Sequence, residues 1–464
     1  MSRARLSSAL LGVAVLALGG CTLFQPEPRA QRPLEVPQRW QQPIPPADTG
    51  AMVAQSADWW TAFGDRQLDR LIDDALRTNN NLAAAGIRVR RAQLQAGLAN
   101  TNLTPDVLGQ ASTSRSYDLK RGGVAGSASS SAVTLSYELD LWGRLSALRS
   151  AADWELKATE SDREAAALSL VGTTAGLYWQ IGYLNQRIEL SEAGMEDGRR
   201  ILALARVKYA AGAVSGLDVA QAGQNLATQE AAHTQLLQQR VEARNALAIL
   251  FDPPPEPMAP EPARLPDIAL PAIDAGVPAS LLGRRPDLRA AEQRLRGALA
   301  NVDATRTGFY PALSLTGVLG TSSTALGELL KNPVATLGAG LTLPFLQWNT
   351  ARLTVAVSQT QYEEAVAGFR QSLYTALSEV ENALSSRTQL RAESESLALA
   401  LQEAQRAERL SEVRYRAGAT ALQPVLDAKD RRRAAEVSLA QNRLNQLNAT
   451  MTLYKALGGA ATGS

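Results

Sequence analysis

Cys and His, the side chains most often recruited for thiol and zinc chemistry, occur once each in this 464-residue sequence, as Cys21 and His233. A zinc centre needs several Cys, His or carboxylate ligands, and nucleophilic catalysis needs a thiol or hydroxyl activated by a base. One Cys and one His build neither a disulfide framework nor a Cys/His zinc site within one chain. His233 stands in the polar helical stretch "QEAAHTQLLQQR" and reads as a solvated helical residue. The run Asp430 to Arg433 ("DRRR") offers charge for a phosphate or nucleic acid. On an amphipathic helix so short a run reads as a solvated face, with Arg431 the residue free to pair with a nearby carboxylate. No glycine-rich phosphate loop or nucleophile elbow stands out. The expectation is therefore no enzyme, no metal and no cofactor. A net charge of +2 implies no nucleic-acid partner.

Cys21 has a chemistry of its own. Arg3 and Arg5 precede an apolar run from Leu6 to Leu18, too short to span a bilayer as a mature helix. Leu18-Gly19-Gly20-Cys21 then resembles a bacterial lipoprotein signal, in which the Cys is acylated and becomes the new N-terminus. Thr22 follows, not the Asp that favours retention at an inner membrane in enteric lipoproteins. Beyond this leader the sequence has no run of about 18 apolar residues. A chain that crosses a membrane without such a helix must do so with strands.

Two glycine turns lead to the elements that position everything else. "VKYAAGAVSGLDV" begins at Val207 and "VRYRAGATALQPV" at Val413, 206 positions on. The same offset relates Leu82 to Leu288, Pro105 to Pro311, Leu135 to Leu341, Trp142 to Trp348 and Leu247 to Leu453. An unbroken register of this kind points to duplication. The expected organisation is a signal peptide (1–20), a Pro-rich N-terminal segment (21–58), a first repeat (59–252), a Pro-rich linker (253–264), a second repeat (265–458) and a tail (459–464).

Each half reads helix, strand, loop, strand, long helix, glycine turn, helix. In "SAVTLSYELDLW", Val133, Leu135, Tyr137, Leu139 and Leu141 alternate with Thr134, Ser136, Glu138 and Asp140, the period of a strand with one apolar face. Leu337 to Phe345 and Leu313 to Leu319 repeat the pattern, and "PDVLGQASTSRSYD" carries it more weakly. The loops "LKRGGVAGSASS" and "TSSTALGELLKNP" close the two hairpins. In the long helix Leu170, Thr174, Leu177, Ile181, Leu184 and Ile188 recur at 3–4 spacing, as in a coiled-coil seam. From Trp142 to Tyr209 that helix would be about 100 Å long, and its flanking helices, roughly 66–104 and 216–251, about half that. Both glycine turns then fall at the end far from the strands. Strands of about 10 residues suit a tilted crossing of a bilayer. Trp142, Phe309, Tyr310, Phe345 and Trp348 cluster where strands meet helices, as a belt at the membrane interface would. Four strands cannot close a barrel, so several chains must share one.

"ADWWTAFGDRQLDRLIDDALRTNNNL", "LSYELDLWGRL", "LLGRRPDLRAAEQRLRGALANVDATRTGFYPALSL" and "YRAGATALQPVLDA" closely resemble the outer membrane factor family, the TolC-like efflux proteins, and in particular their NodT/OprM-type lipoprotein branch. The resemblance covers almost the whole mature chain. It implies a mixed α+β membrane protein of long coiled-coil-like helices. Four strands per chain contribute to a trimeric twelve-stranded outer membrane β-barrel, continued by a periplasmic α-helical barrel. It implies a homotrimer that passively passes drugs or other small molecules outward. Its partners would be a periplasmic adaptor, an inner-membrane pump of the proton-driven resistance-nodulation-division type, and the outer membrane lipids. The same architecture would serve polypeptide secretion or metal-ion efflux, and a lipid-anchored coiled-coil spacer without a pore is the remote alternative.

The resemblance also nominates residues. Family members narrow the periplasmic entrance with acidic side chains on a "VLDA"-type motif, here Val425 to Ala428, so Asp427 becomes the gate candidate, with Asp430 on the same helix face. This chain departs from the pattern at Pro424, where other members can carry a second Asp. The helix-tip turns, with Gly212, Ser215, Gly216, Gly418, Ala419 and Thr420, become the candidate surface for the adaptor. Tyr209 and Tyr415, just before the turns, read as packing residues.

Overall fold

The computed structural model describes residues 34–42, 58–120, 122–252, 261–271, 273 and 275–459. The chain forms two compact units. The first contains Ile87–Ser161 and Arg289–Ser372, and the second Glu35–Gly86, Asp162–Leu288 and Leu373 onward.

After a 3-10 turn at Trp59–Phe63, the chain runs through α1 (Arg66–Thr78), α2 (Asn80–Thr101), β1 (Asp106–Tyr117), β2 (Val124–Leu139), α3 (Arg144–Ala210) and α4 (Gly216–Ala248). A single helical turn at Leu281–Arg284 then precedes α5 (Pro286–Thr307), β3 (Ala312–Ser323), β4 (Pro333–Thr342), α6 (Trp348–Arg416) and α7 (Gln423–Ala456). The two long helices have 67 and 69 residues, and the helices after the glycine turns 33 and 34. The expected helix from residue 66 is broken at Asn79. Its backbone leaves the helical region (ψ 121°), and its side chain accepts from Leu82 N at 2.9 Å while donating to the Leu250 carbonyl at 2.9 Å. An Asn offering the backbone a competing partner ends one helix and starts the next.

In the first unit the four strands form one antiparallel sheet in the order β1-β2-β3-β4. Cross-strand partners share a face, so the register sorts the side chains. Val107, Leu135, Gly317 and Leu337 stand in one row, and Leu139, Leu313 and Leu341 in another. The opposite face carries Ser112, Ser130, Thr134, Ser136, Ser314, Thr316 and Thr336, with no charged residue between the rows of Asp106 and Glu138 at one end and the hairpin loops at the other. The weakly patterned stretch is fully paired as β1. At the strand-to-helix corner Asp140 accepts from the Leu145 and Ser146 amides (2.9 and 2.8 Å), and Arg144 makes a two-pronged contact with Glu138 (2.8 Å to each oxygen). One carboxylate thus caps α3 and the other is neutralised. The loop expected between β3 and β4 contains a 3-10 turn, Leu326–Lys331.

The second unit has two main apolar cores. One joins Trp59, Trp60, Phe63, Leu68 and Ile72 to Trp179, Ile181 and Leu184 of α3, Leu247 of α4, and Leu447 and Tyr454 of α7. Trp59 stacks on Tyr454 at 4.7 Å, and Phe63 meets Trp179 at 5.0 Å. The other core joins Leu281 and Leu288 to Leu373, Leu377, Val380 and Leu384 of α6 and Leu453 of α7. Each fully buried leucine contributes about 1.5–3 kcal/mol, so either core outweighs the weak intrinsic preference of its helices.

Two non-helical segments are fastened to these cores. Trp40 is buried in the second core, and its indole N–H donates to the Gly276 carbonyl at 2.9 Å. The Gln41 and Gln42 amides donate to the two carboxylate oxygens of Glu381 (2.7 and 3.0 Å). From Glu261 to Val277 the described residues carry no helix or strand, and half-buried polar side chains take up several of their carbonyls. Arg443 reaches Pro266 (3.0 Å), Arg387 reaches Pro271 (3.1 Å) and Asn185 reaches Pro262 (3.0 Å). A backbone without regular structure needs such partners when it lies against a core.

Candidate functional site at the hairpin tips

Both glycine turns adopt the same geometry. Gly212 and Gly418 have φ of 71° and 75°. The Gly212 amide donates to Tyr209 O and the Ala213 amide to Lys208 O, both at 2.9 Å; Gly418 and Ala419 repeat this onto Tyr415 O and Arg414 O. This pair of bonds closes a helix through a left-handed residue, a conformation that glycine enters without the Cβ penalty. The next helix begins differently in each half. Ser215 caps α4, and its amide and hydroxyl both donate to Asp218 (3.2 and 3.1 Å). α7 begins with Pro424 in its first turn and no side-chain cap.

The two tips come together. Ala205, Ala222, Tyr415, Leu422, Val425 and Leu426 form one buried cluster. The paired tyrosines do not behave alike. Tyr415 is buried, with Lys208 Nζ 4.0 Å from its ring centre, whereas Tyr209 is exposed. Burial, helped by the nearby Asp218 charge, pushes the Tyr415 hydroxyl above its ordinary pKa. Gly212, Ser215, Gly216, Gly418 and Ala419 are exposed and Thr420 is half-buried.

Asp427 is half-buried on the first turns of α7 and accepts from Gln423 Nε2 at 2.7 Å. Asp430 is exposed, pairs with Arg433 and accepts from Asn225 at 3.2 Å. It is therefore partly neutralised, unlike Asp427.

The strongest electrostatics lie between them in sequence, on Lys429. Its ammonium is buried and faces Glu412 (2.7 Å) and Glu408 (3.0 Å) on α6 and Asp197 (3.6 Å) on α3. Arg432 pairs with Glu408 and, at 2.7 Å, with Glu436, and Arg200 pairs with Asp197. Burial alone would lower the Lys429 pKa. The hydrogen bonds to Glu412 and Glu408, with the Asp197 charge, override it and hold the pKa above the ordinary value. Burial likewise works against the Asp197 carboxylate, and the Arg200 hydrogen bond and the cations around it hold its pKa below the ordinary value.

The "DRRR" run is thus only partly a solvated face. Arg431 is the exposed member, while Arg432 and Arg433 are the ones that pair. Lys429 escaped the sequence reading because its first-half counterpart is Gly223 and its partners lie on two other helices. The apolar Val425, Leu426 and Ala428 just before the lysine were the available signal.

Among the strand-end aromatics, Trp142 donates to the Pro311 carbonyl (2.8 Å) and meets Tyr310 edge-on at 5.4 Å. Phe309 and Phe345 are half-buried, and Trp348 is exposed. Cys21 lies outside the described residues. Among these, no cluster of His, Cys, Asp or Glu has the spacing of a metal site, and no helix is long and apolar enough to cross a membrane.

The chain thus combines a four-stranded antiparallel sheet with two helices of 67 and 69 residues. The family model for outer membrane efflux proteins matches residues 71–251 and again 277–459, and the chain belongs to that family, one of transport ducts in the outer membrane. It is similar to the pyoverdine export outer membrane protein OpmQ of Pseudomonas aeruginosa, 33% identical over 457 residues, covering 96% of this chain and 95% of the relative. Among solved structures it is similar to the Campylobacter jejuni CmeC outer membrane channel (TM-score 0.84, 26% identity, 94% of each chain). It is also similar to the open state of the Neisseria gonorrhoeae MtrE outer membrane channel (TM-score 0.79, 30% identity, 94% of this chain and 98% of the other). These are TolC-like channel folds.

Proposed function

We propose that three copies of this chain close a twelve-stranded barrel and a helical barrel, and form the exit duct of a tripartite efflux pump for small molecules. The observation that carries this is the sheet. Its two edge strands, β1 and β4, have no partner within the described chain, one face is apolar along its central rows, and the other is mostly Ser, Thr and Gly without charge there, with Leu108, Val318 and Val334 among them. In lipid an open edge is untenable, and a shared closed barrel satisfies it. The uncharged polar face would then line a water-filled lumen.

Support for duplication comes from equivalent positions. Val171 and Leu377, Tyr178 and Leu384, and Leu247 and Leu453 are each 206 apart, and all are buried. The repeats 59–252 and 265–458, joined by the linker 253–264, are on this reading two copies of one unit. Asp427 would supply one carboxylate per chain to a ring at the entrance, with Asp430 a weaker contributor because of Arg433. The exposed turn residues would receive a periplasmic adaptor, and a resistance-nodulation-division pump would supply the energy. Cys21 would carry the lipid anchor, and Trp142, Tyr310, Phe309, Phe345 and Trp348 would form the periplasmic-side belt. The OpmQ likeness favours a small organic export substrate over a polypeptide.

Two experiments test this together. Purified protein in planar bilayers should open discrete conductances and run as a trimer by native mass measurement. A deletion strain should gain sensitivity to a subset of a broad drug and chelator panel, restored by the wild-type gene. Trimers that never conduct would leave a spacer, and unchanged sensitivity to every compound would remove small-molecule efflux.

A further inference from the structure

The apolar face of the sheet does not stay apolar along its length. Toward the hairpin ends its rows change from Val133, Leu135, Leu315 and Leu319 to Thr113, Ser127, Ser129, Ser131, Thr321 and Ser323, with the exposed Arg115 opposite Ser127 at the β1 edge. Hydroxyls on a lipid-facing surface are costly unless each is satisfied within the protein. Here several are. Thr113 and Ser129 bond each other at 3.0 Å, Ser127 donates to the Thr324 carbonyl at 2.5 Å, and Thr321 donates to the Leu329 carbonyl.

The last two bonds hold the β3–β4 connection down on this same face. Ser129 is left 5% exposed, and Thr321 and Ser323 are half-buried, while Ser322 on the other face stays open. The 3-10 turn Leu326–Lys331 therefore lies over the part of the hydroxyl patch formed by Ser129, Thr321 and Ser323, while Thr113 and Ser127 stay exposed. Its outer surface carries Leu326 and Leu330, 67% and 83% exposed. Its two charges, Glu328 and Lys331, pair with each other at 2.7 Å.

We propose that this turn is a membrane-facing cover, and that the hydrocarbon of the outer-leaflet lipids packs on Leu326 and Leu330. The proposal rests on the barrel reading above. Its occupant follows from continuity: the turn sits over the two central strands, away from the β1 and β4 edges where another copy would pair. It resumes the row of exposed leucines just where the sheet's own side chains turn polar. With the patch covered, the apolar band extends beyond the row of Val133 and Leu319. A lipid-facing band is about 25 Å tall in such barrels. The four rows from Leu313 to Leu319 rise only about 20 Å at roughly 3.3 Å per residue, and less when tilted. The competing occupant is water at the cell surface.

Spin labels decide between them. Leu326→Cys and Leu330→Cys are made in the full chain, whose only other thiol is Cys21, and reconstituted in bilayers. Collision with oxygen, which concentrates in hydrocarbon, is compared with collision with a water-soluble nickel chelate. Leu315→Cys on the apolar face and Leu119→Cys in the β1–β2 hairpin (96% exposed) serve as references. The expected result is an oxygen-to-nickel ratio at both positions within about twofold of Leu315→Cys and several-fold above Leu119→Cys. Ratios matching Leu119→Cys, with Leu315→Cys still in hydrocarbon, overturn the cover and leave the barrel. A water-like ratio at Leu315→Cys overturns both.

Discussion

Replacing Lys429 by Met keeps most of the buried stem and removes only the charge, so it isolates the ionic cluster at the tips. Breaking a buried pair by deleting one partner costs about 3–5 kcal/mol when the remaining charge is stranded. Here none of the three carboxylates is stranded completely. Asp197 keeps Arg200, Glu408 keeps Arg432, and Glu412, which is partly open to solvent, keeps Arg416 at 3.6 Å. The expected loss therefore sits at the lower end, about 3 kcal/mol, or roughly a hundredfold in the local opening equilibrium. Hydrogen exchange of peptides covering Val425 to Arg433, in the purified assembly at neutral pH, reads that opening directly. Peptides from the strand unit should not change. Glu412→Gln should weaken the same peptides, and the double variant should cost clearly less than the sum of the two singles, because the pair shares one interaction. An acceleration below about threefold, or full additivity in the cycle, would show that the contacts at 2.7 and 3.0 Å carry no stability and refute the reasoning.

Four other outcomes follow from the structure. If Asp427 rings the entrance, Asp427→Asn should lower cation selectivity. Three carboxylates about 8 Å from a central ion, screened over a Debye length, give roughly a two- to threefold preference, to be read as a reversal potential in a salt gradient. Gly418→Ala should cost about 1–2 kcal/mol locally, because the left-handed φ of 75° penalises a Cβ that otherwise meets no atom within 4 Å. Gly368→Ala, in open space within α6, should be neutral or stabilising by the same exchange measurement. The pH dependence has a definite sign: depressed carboxyl pKa values, as for Asp197 and Asp287, stabilise fully above the ordinary 3.8, and this is lost as pH falls below it. The raised Lys429 contributes below 10.5 and fails only as pH rises past that. Asp197→Asn should therefore differ from wild type at pH 6 and converge with it as pH falls through the depressed pKa of the carboxyl group.

The strands, the long helices and the turns were legible because each is encoded locally. Alternation marks β2, β3 and β4, 3–4 spacing marks α3, and Gly212 and Gly418 mark reversals whose backbone only glycine enters cheaply. What was not legible depends on distant partners. Asn79 ends a helix because Leu250 is beside it, and nothing in "RTNNNL" shows that. Lys429 is buried only once α3, α6 and α7 meet around it. The turn Leu326–Lys331 reads as a polar loop until Thr321 and Ser127 draw it onto the sheet. At the tips, sequence symmetry concealed a difference: Tyr209 and Tyr415 share a motif, yet only one is buried.

The Trp40 clasp has a mechanical consequence. If Cys21 carries the acyl anchor proposed above, nineteen positions separate it from Trp40, the first side chain seen fastened to a core among the described residues. A pull passed along the chain from such an anchor would then reach Trp40 and Glu381 before Trp59 and the first core. Glu381 sits on α6, so the load enters one of the two long helices along its flank. On that reading the two hydrogen bonds from the Gln41 and Gln42 amides to its carboxylate stand between a membrane anchor and the helix.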